Sequence, residues 1–366
     1  MDHIREVAAF IVVLGVLVFV HEMGHYLAAR WRGVYVEAFS LGFGKAFASW
    51  TDRTGTVWKL CWLPLGGYVK LHGHERADDV SPEVRATWKD GQTYQGKSVL
   101  SRAIIIGAGP AANFLLAIVL FAALFGATGQ PVPVEAAVIG TVSAGGAAER
   151  AGLQPADRID AIDGVPVVRV ADLQRIVAAS PDKPLSIRIT RAGQEQTVAA
   201  TSGSREVDGA RVGLLGVSNA VEYKSISPWQ AVTAGAEQTW QVTAGTASAL
   251  GQIVTGRRGT EDLGGPIKIA QLSGQFAKAG LASLVGLIAV LSVNLGLLNL
   301  IPIPVLDGGH LLFLAGEAVA GRPLPPRAQD YSTRAGLALL AGLFVFVTWN
   351  DISQTTLFRW VTSLIG

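Results

Sequence analysis

Residues 7–30 read VAAFIVVLGVLVFVHEMGHYLAAR, in which fourteen apolar residues lead directly into the sequence HEMGH. Residues four apart share one face of a helix, so the imidazoles of His21 and His25 can bind the same metal ion. Glu22 stands beside the first of them, and a carboxylate after so long an apolar run is unfavourable without a function. The pattern HExxH is typical of zinc metalloproteases. The alternative is a chance pentapeptide whose histidines form hydrogen bonds within a helix bundle.

The composition of the whole chain indicates a lipid environment. Half of the 366 residues are hydrophobic and 16% are charged, whereas a soluble domain has about 25% charged residues. Three further apolar runs without charge, at 103–128, 279–306 and 335–350, approach or exceed the roughly 20 residues that a spanning helix needs. We therefore predict a polytopic α-helical membrane protein with about four transmembrane helices. The net charge of +2 gives no indication of nucleic-acid binding, and a single cysteine excludes a disulfide framework.

The first apolar run has the length of a signal-peptide core, but the preceding MDHIRE lacks a positive charge excess. We therefore predict a retained helix. The connection at 30–102 carries eleven Lys and Arg against seven Asp and Glu. The positive-inside rule then places this connection and the one at 307–334 in the cytoplasm, with both termini outside.

Residues 133–220 have the turn-rich pattern of a separate mixed α+β domain. They predict, in order, a strand, a short helix, a strand that ends in an Asp163-Gly164 turn, a helix, and a hairpin that turns at Ala192-Gly193. This domain is inserted into the membrane part of the chain.

The rest of the chain is divided by that insertion. Residues 1–128 form the first membrane segment and residues 279–366 the second. Between the inserted domain and the second segment lies a connector at 221–278, in which residues 225–258 alternate apolar and polar positions. This pattern predicts an amphipathic helical connector that lies at the membrane surface or braces the domain.

A catalytic zinc ion needs a third protein ligand and an open coordination position. The strongest candidate is Asp307, within NLIPIPVLDGGH at residues 299–310. Pro302 and Pro304 interrupt the helix there, and irregular backbone at membrane depth is tolerated only where it is buried in protein or lines a cavity. The alternative is a helix-ending Asp-Gly turn at the membrane interface. His310 is a rival ligand, for which a supporting role is favoured.

The HEMGH and NLIPIPVLDGGH motifs, with an intervening PDZ-like domain, resemble the site-2 protease family of M50-type intramembrane zinc metalloproteases, and most of all its bacterial RseP-like branch. The resemblance covers nearly the whole chain. It implies Zn²⁺ as the cofactor, His21, His25 and Asp307 as its ligands, and Glu22 as the general base. Asn299 matches an asparagine that is implicated in holding substrate. The implied substrates are transmembrane segments of single-pass proteins, such as anti-sigma factors or signal-peptide remnants, in a bacterial inner membrane.

Two further motifs resemble the family. The sequence GGYVK at 66–70 corresponds to a re-entrant β-hairpin whose edge pairs with an unwound substrate; the alternative is a glycine turn at the membrane face. GPAAN at 109–113 resembles a GPxxN motif, whose asparagine either contacts substrate or only forms a hydrogen bond between helices. The residues assigned to substrate binding from these motifs are Gly66, Gly67, Tyr68, Val69 and Asn113.

The chain departs from the RseP-like pattern in having one PDZ-like domain rather than two. It also has Ala156 where such domains usually have glycine. His72 and His74 have the spacing of a possible metal pair, although solvent-exposed loop histidines are the favoured interpretation. The alternative function is a non-hydrolytic membrane scaffold that binds protein tails, and the presence of Glu22 disfavours it because a scaffold needs no base. A metal transporter would need polar residues spread along several spans.

Overall fold

The structure is a computed structural model that describes residues 2–75, 80–207, 210–257, 259–260 and 264–353. Parts of all four predicted segments, 1–128, 133–220, 221–278 and 279–366, therefore lie outside the described residues. The helices in chain order are α1 (Asp2–Trp31), α2 (Pro82–Ala86), α3 (Val99–Thr128), α4 (Ala147–Arg150), α5 (Val170–Ala178), α6 (Pro228–Val254), α7 (Pro266–Lys278), α8 (Leu281–Asn299), α9 (Asp307–Ala320) and α10 (Pro326–Ser353).

The strands in chain order are β1 (Val36–Thr51), β2 (Val57–Leu71), β3 (Gln130–Pro133), β4 (Ile139–Val142), β5 (Arg158–Ile162), β6 (Val165–Pro166), β7 (Pro184–Arg191), β8 (Gln194–Thr201), β9 (Gly203–Val207), β10 (Ala210–Leu214), β11 (Val217–Asn219) and β12 (Val221–Lys224). Strands β6-β5-β7-β8 form a four-stranded sheet, and β1 and β2 form a separate sheet.

Four of the described helices, α1, α3, α8 and α10, are long and apolar enough to cross a membrane. This confirms the prediction of about four spans. The third of these helices ends at Asn299, shortly before the two prolines predicted to interrupt the apolar run. A proline lacks the N–H that would extend the helix, and its ring clashes with the preceding turn.

The chain divides into two compact units. A membrane unit contains Met1–Leu124, Val232–Leu250 and Thr260–Gly366, and a β-rich unit contains Phe125–Ala231 and Gly251–Gly259. The β-rich unit holds β3 to β12 and has its own core. The largest fully buried side chains in that core are isoleucines, at positions 139, 159, 162, 187 and 189.

The predicted turn at Asp163-Gly164 and the predicted hairpin turn at Ala192-Gly193 are both confirmed. Asp163 and Gly164 both have positive φ, and Ile162 pairs with Val165 across them. Ala192 and Gly193 likewise have φ of +50° and +82°, between the paired residues 191 and 194. Two consecutive residues with positive φ define the type I′ geometry, whose twist matches that of the flanking strands.

Ala156 lies in the left-handed region, with φ of +71°, which glycine adopts without strain. This conformation explains why glycine is usual at the position. The next residue, Asp157, is buried and accepts two hydrogen bonds of 2.7 Å from the Arg191 guanidinium. Those hydrogen bonds hold the pKa of Asp157 below its ordinary value. The charged pair therefore fixes the strained turn against β7.

The sheet formed by β1 and β2 belongs to the membrane unit, and β1 is not among the predicted elements. Residues 38–41 of β1 have partners on both sides, 57–60 and 67–70, while residues 46–51 pair with 57–61. Among the described residues, the segment 67–71 therefore pairs with another strand segment along only one of its two sides. It forms a free strand edge.

The predicted connector at 221–278 contains β12, α6 and α7. Helix α6 packs against two of the apolar helices: a Cβ at Gly235 would meet the Ile118 carbonyl oxygen of α3 at 2.7 Å. Further along, the Thr246 hydroxyl donates a 2.9 Å hydrogen bond to Asn294 of α8. The amphipathic helix therefore lies alongside spanning helices.

Candidate active site

His21, His25 and Asp307 converge, although 282 positions separate the last from His25. The two imidazole Nε2 atoms are 3.3 Å apart and lie 3.2 and 3.5 Å from the same oxygen, Oδ2 of Asp307. Their ligand atoms all fall within 4.8 Å of one another. Helix α1 supplies the histidines, and the first residue of α9 supplies the carboxylate. His310 is not part of this cluster within the described ranges.

The shared oxygen of Asp307 is buried, and among the residues that the structure describes it forms no hydrogen bond, even with the two nearby imidazoles. A buried carboxylate oxygen without a donor is strongly unfavourable. Two imidazole nitrogens and one carboxylate oxygen are the donor set of many catalytic zinc sites, in which a fourth position stays open. The residues present therefore fit a zinc ion.

Helix α3 contacts the second ring nitrogen of both histidines. His25 Nδ1 lies 2.9 Å from the main-chain carbonyl of Ile105, and His21 Nδ1 lies 3.1 Å from the side-chain amide of Asn113. Because a carbonyl oxygen only accepts, His25 carries its proton on Nδ1 and keeps the Nε2 lone pair for a metal. Partners of this kind orient metal-binding histidines.

Gly109 and Pro110, which begin the GPAAN motif, lie where α3 closely approaches His25. A Cβ atom at Gly109 would overlap the His25 ring, and one at Gly24 would overlap the Ala108 carbonyl. Pro110 lies inside the helix, where a proline loosens the preceding turn. A proline next to a glycine in an apolar helix is the sequence signal from which this contact could have been found.

The chain folds back tightly just before Asp307. A Cβ at Gly308 would overlap the carbonyls of residues 300 and 301, and one at Gly309 would overlap the carbonyl of Ile303. Val305 has φ of +98°, a strained conformation for a β-branched residue. Such strain concentrates at functional sites. The two glycines and the strained valine hold the first residue of α9 against the histidines.

A cavity of about 690 Å³ opens beside the cluster. Its lining includes the predicted residues Glu22, Gly67, Tyr68, Val69 and Asn299. Asn113 is fully buried and does not line it. Gly66 is also absent from the lining and has φ of +99°, which fits a bend at the start of the free edge.

The free strand edge passes directly over the predicted base. A Cβ at Gly67 would lie 3.0 Å from Cγ of Glu22 and 2.9 Å from Cγ1 of Val18. Any side chain at position 67 would therefore push on Glu22. Glycine is required here by contact, and the backbone of β2 borders the cavity that Glu22 lines.

Glu37 lines the cavity next to the free strand edge. Its carboxylate accepts from Lys70 at 2.7 Å and lies 2.8 Å from Nδ1 of His72. Burial raises the pKa of Glu37, but the hydrogen bonds to Lys70 and His72 outweigh it, so the pKa is lowered. His72 also accepts from the main-chain N–H of Lys89. His72 is buried with both nitrogens engaged, so neither a metal pair with His74 nor a solvent-exposed loop histidine describes it.

An ion pair links α3, which contacts the Nδ1 atoms of both histidines, to α9, which begins at Asp307. Arg102 of α3 contacts both carboxylate oxygens of Glu317 of α9, at 3.1 and 2.5 Å. Both side chains are largely buried. A bidentate pair of this kind constrains direction as well as distance. It fixes α9, and thereby Asp307, relative to α3.

Two histidines and an aspartate around one point, with a glutamate beside them and apolar helices around them, define a membrane-embedded metallohydrolase. The chain belongs to peptidase family M50, whose family model matches residues 9–343.

Curated relatives agree with this assignment over nearly their full length. The chain is 43% identical to a protein of Rhizobium meliloti (strain 1021) named "Putative zinc metalloprotease", covering 96% of this chain and 98% of the relative. It is 35% identical to the "Regulator of sigma-E protease RseP" of Salmonella typhimurium, covering 95% and 98%. That alignment spans 449 positions, more than the 366 residues here, so the Salmonella protein contains segments that this chain lacks.

The family and its relatives establish the class of enzyme. The chain is a site-2 type zinc metallopeptidase that acts in membrane proteolysis. Together with the four apolar helices, this makes it a multi-pass protein of the bacterial inner membrane.

Proposed function

We propose that the chain cleaves transmembrane segments of single-pass membrane proteins, with His21, His25 and Asp307 as zinc ligands and Glu22 as general base. The observation that carries the proposal is the convergence of these ligands beside a cavity bordered by a free strand edge. A hydrolase needs a carboxylate beside the metal ligands to act as general base, whereas a transporter or a scaffold does not.

The roles of the residues follow from their positions. A zinc ion at the site supplies Lewis-acid polarisation of the scissile carbonyl and lowers the pKa of water. Glu22, which lines the cavity and is not part of the ligand cluster, takes the proton from the attacking water and later delivers one to the leaving amine. Asn299 lines the same cavity and is placed to donate its amide to a substrate carbonyl.

The free edge at 67–71 supports recognition of an extended substrate. A helical peptide bond has its carbonyl engaged in the helix, so the substrate must unwind locally before it reacts. Strand addition supplies main-chain hydrogen bonds to an extended peptide. Tyr68 and Val69 favour the extended state, and they line the cavity that such a peptide would enter.

The sidedness of the protein forms part of the proposal. The excess of Lys and Arg at 30–102 favours a cytoplasmic position for the connection and for the active site near it. The β-rich unit then lies outside the cytoplasm and acts as a PDZ-like binding or size-filtering module. A groove of about 340 Å³ between α5 and residues 213–219 supports a role in binding peptides. Anti-sigma factors and signal-peptide remnants are the substrates proposed.

The function is tested by metal removal. Purified protein in lipid vesicles is expected to cut a single-pass substrate within its transmembrane segment, and mass spectrometry of the products locates the cut. Chelation by 1,10-phenanthroline should abolish the cut because the scissile carbonyl loses its Lewis acid, and added Zn²⁺ should restore it. Chelator-resistant cleavage, or cuts confined to the substrate's soluble parts, would contradict the proposal.

The strand-edge role is tested by crosslinking. In a Glu22→Gln, Cys61→Ser background, which retains uncut substrate, Tyr68→Cys and Val69→Cys should form disulfides with cysteines near the substrate's cut position. Gly67 is left unchanged because a side chain there would displace Glu22. The control is Ser49→Cys, which is exposed in the segment at the opposite side of the same sheet. Equal crosslinking at 49 and 68, or none at 68 and 69, would show that this edge does not hold substrate.

A further inference from the structure

Asn113 stands where three membrane helices meet. It belongs to α3, its side-chain amide contacts His21 of α1, and its main-chain carbonyl accepts a 2.8 Å hydrogen bond from Ser292 of α8. Asn113 and Ser292 are both fully buried. A residue with no exposed surface cannot touch a substrate in the cavity, so its amide must serve the protein itself.

His21 faces the metal cluster through Nε2, the atom that lies near Asp307 and His25. For this nitrogen to offer a lone pair, the proton of the neutral imidazole must be on Nδ1. A protonated Nδ1 that is buried needs an acceptor. The group that the structure places at this atom is the Asn113 amide, at 3.1 Å.

The amide can supply that acceptor. Its Nδ2 is the atom nearer to His21, and its Oδ1 has no hydrogen-bond partner among the described residues. No other bond to Oδ1 therefore fixes the orientation of the amide. Its nitrogen and oxygen have nearly the same shape, so a half-turn about the last side-chain bond brings Oδ1 to the Nδ1 proton.

We propose that Asn113 is a positioning residue for the first zinc ligand: its amide oxygen accepts the Nδ1 proton of His21 and holds Nε2 towards the metal. The proposal rests on the metal site described above. It assigns one outer partner on α3 to each histidine, the Ile105 carbonyl to His25 and the Asn113 side chain to His21. Of the two, only the second can be removed by substitution.

The test measures zinc affinity rather than turnover. Asn113→Leu has similar size but no acceptor, and Asn113→Asp keeps an oxygen for the Nδ1 proton. Loss of an outer partner weakens metal binding by roughly 10–100-fold, which is the effect expected for Asn113→Leu in competition with a chromogenic chelator. Asn113→Asp should bind zinc within about threefold of the unaltered protein, since the acceptor that the outer partner provides remains. The absorption spectrum of the Co²⁺-loaded protein should change in the leucine variant only.

Asn294→Leu is the matched control, because it removes another intramembrane asparagine whose partner is Thr246; zinc affinity should be unchanged. Asn113→Ala, which only removes atoms, replaces the leucine variant if that side chain does not pack. Normal zinc binding in the variants without an acceptor, or equal loss in Asn113→Asp, would overturn the role of Asn113 while the metal site stands. Failure of the unaltered protein to bind zinc would instead contradict the metal site itself.

Discussion

Glu22→Gln is expected to abolish cleavage of a transmembrane substrate while zinc remains bound in normal amount. Glutamine has nearly the shape of glutamate but cannot take a proton from the attacking water. General-base catalysis contributes about 10²–10⁴-fold to the rate, so turnover should fall by at least the lower of these factors. Glu22 lies outside the ligand cluster, which is why zinc content should not follow activity. The measurement is a cleavage assay in vesicles together with metal analysis of the same sample.

The matched control is Glu37→Gln. Glu37 lines the same cavity, but its carboxylate is held by Lys70 and His72. Its replacement should lower cleavage far less than that of Glu22. If Glu22→Gln retains cleavage within tenfold of the unaltered protein, the base lies elsewhere and the assignment of Glu22 is wrong.

Asp307→Ala should remove zinc and activity together, in contrast to Glu22→Gln. Alanine leaves two histidine ligands, and the site loses the oxygen that lies within 3.5 Å of both. A catalytic zinc site holds its metal through three protein ligands, so the dissociation constant should rise by several orders of magnitude. The measurement is zinc stoichiometry after dialysis against a zinc buffer, with cleavage assayed in the same preparation.

His310→Ala separates the third ligand from its neighbour on the same helix. His310 lines the cavity but is not part of the converging cluster, so its removal should leave zinc stoichiometry unchanged. Full zinc occupancy in Asp307→Ala, combined with loss in His310→Ala, would transfer the ligand role to the histidine. Loss of zinc in only one of the two variants therefore identifies which residue is the third ligand.

Much of the architecture could be read from local patterns. Uncharged runs of sufficient length identify the spanning helices. A charged side chain is unfavourable in the bilayer core and is found there only where it has a function. The spacing of His21 and His25 places both imidazoles on one face of a helix. The turns at Asp163-Gly164 and Ala192-Gly193 follow from residue types that tolerate positive φ. Each of these features depends on residues close together in the chain.

The free strand edge at 67–71 is a feature that local sequence patterns could not predict in full. Glycines and β-formers indicate a strand, but its pairing along one side depends on residues 36–41, which carry no comparable signal. Likewise, burial of His72 follows from its contact with Glu37, 35 positions away. Loop histidines look alike in sequence whether a partner meets them or not.

For the metal centre, too, some features could be predicted from the local sequence and others depend on the tertiary structure. The HEMGH motif and the broken helix before Asp307 indicate candidate ligands, and the prolines and glycines around them indicate where the backbone must bend. Only the packing of α1, α3 and α9 brings Asp307 to the histidines and Asn113 behind His21. Local sequence specifies dihedral preferences and periodicity, whereas contacts across hundreds of residues arise from the packing of whole helices. The partner of each side chain was therefore decided by the tertiary structure.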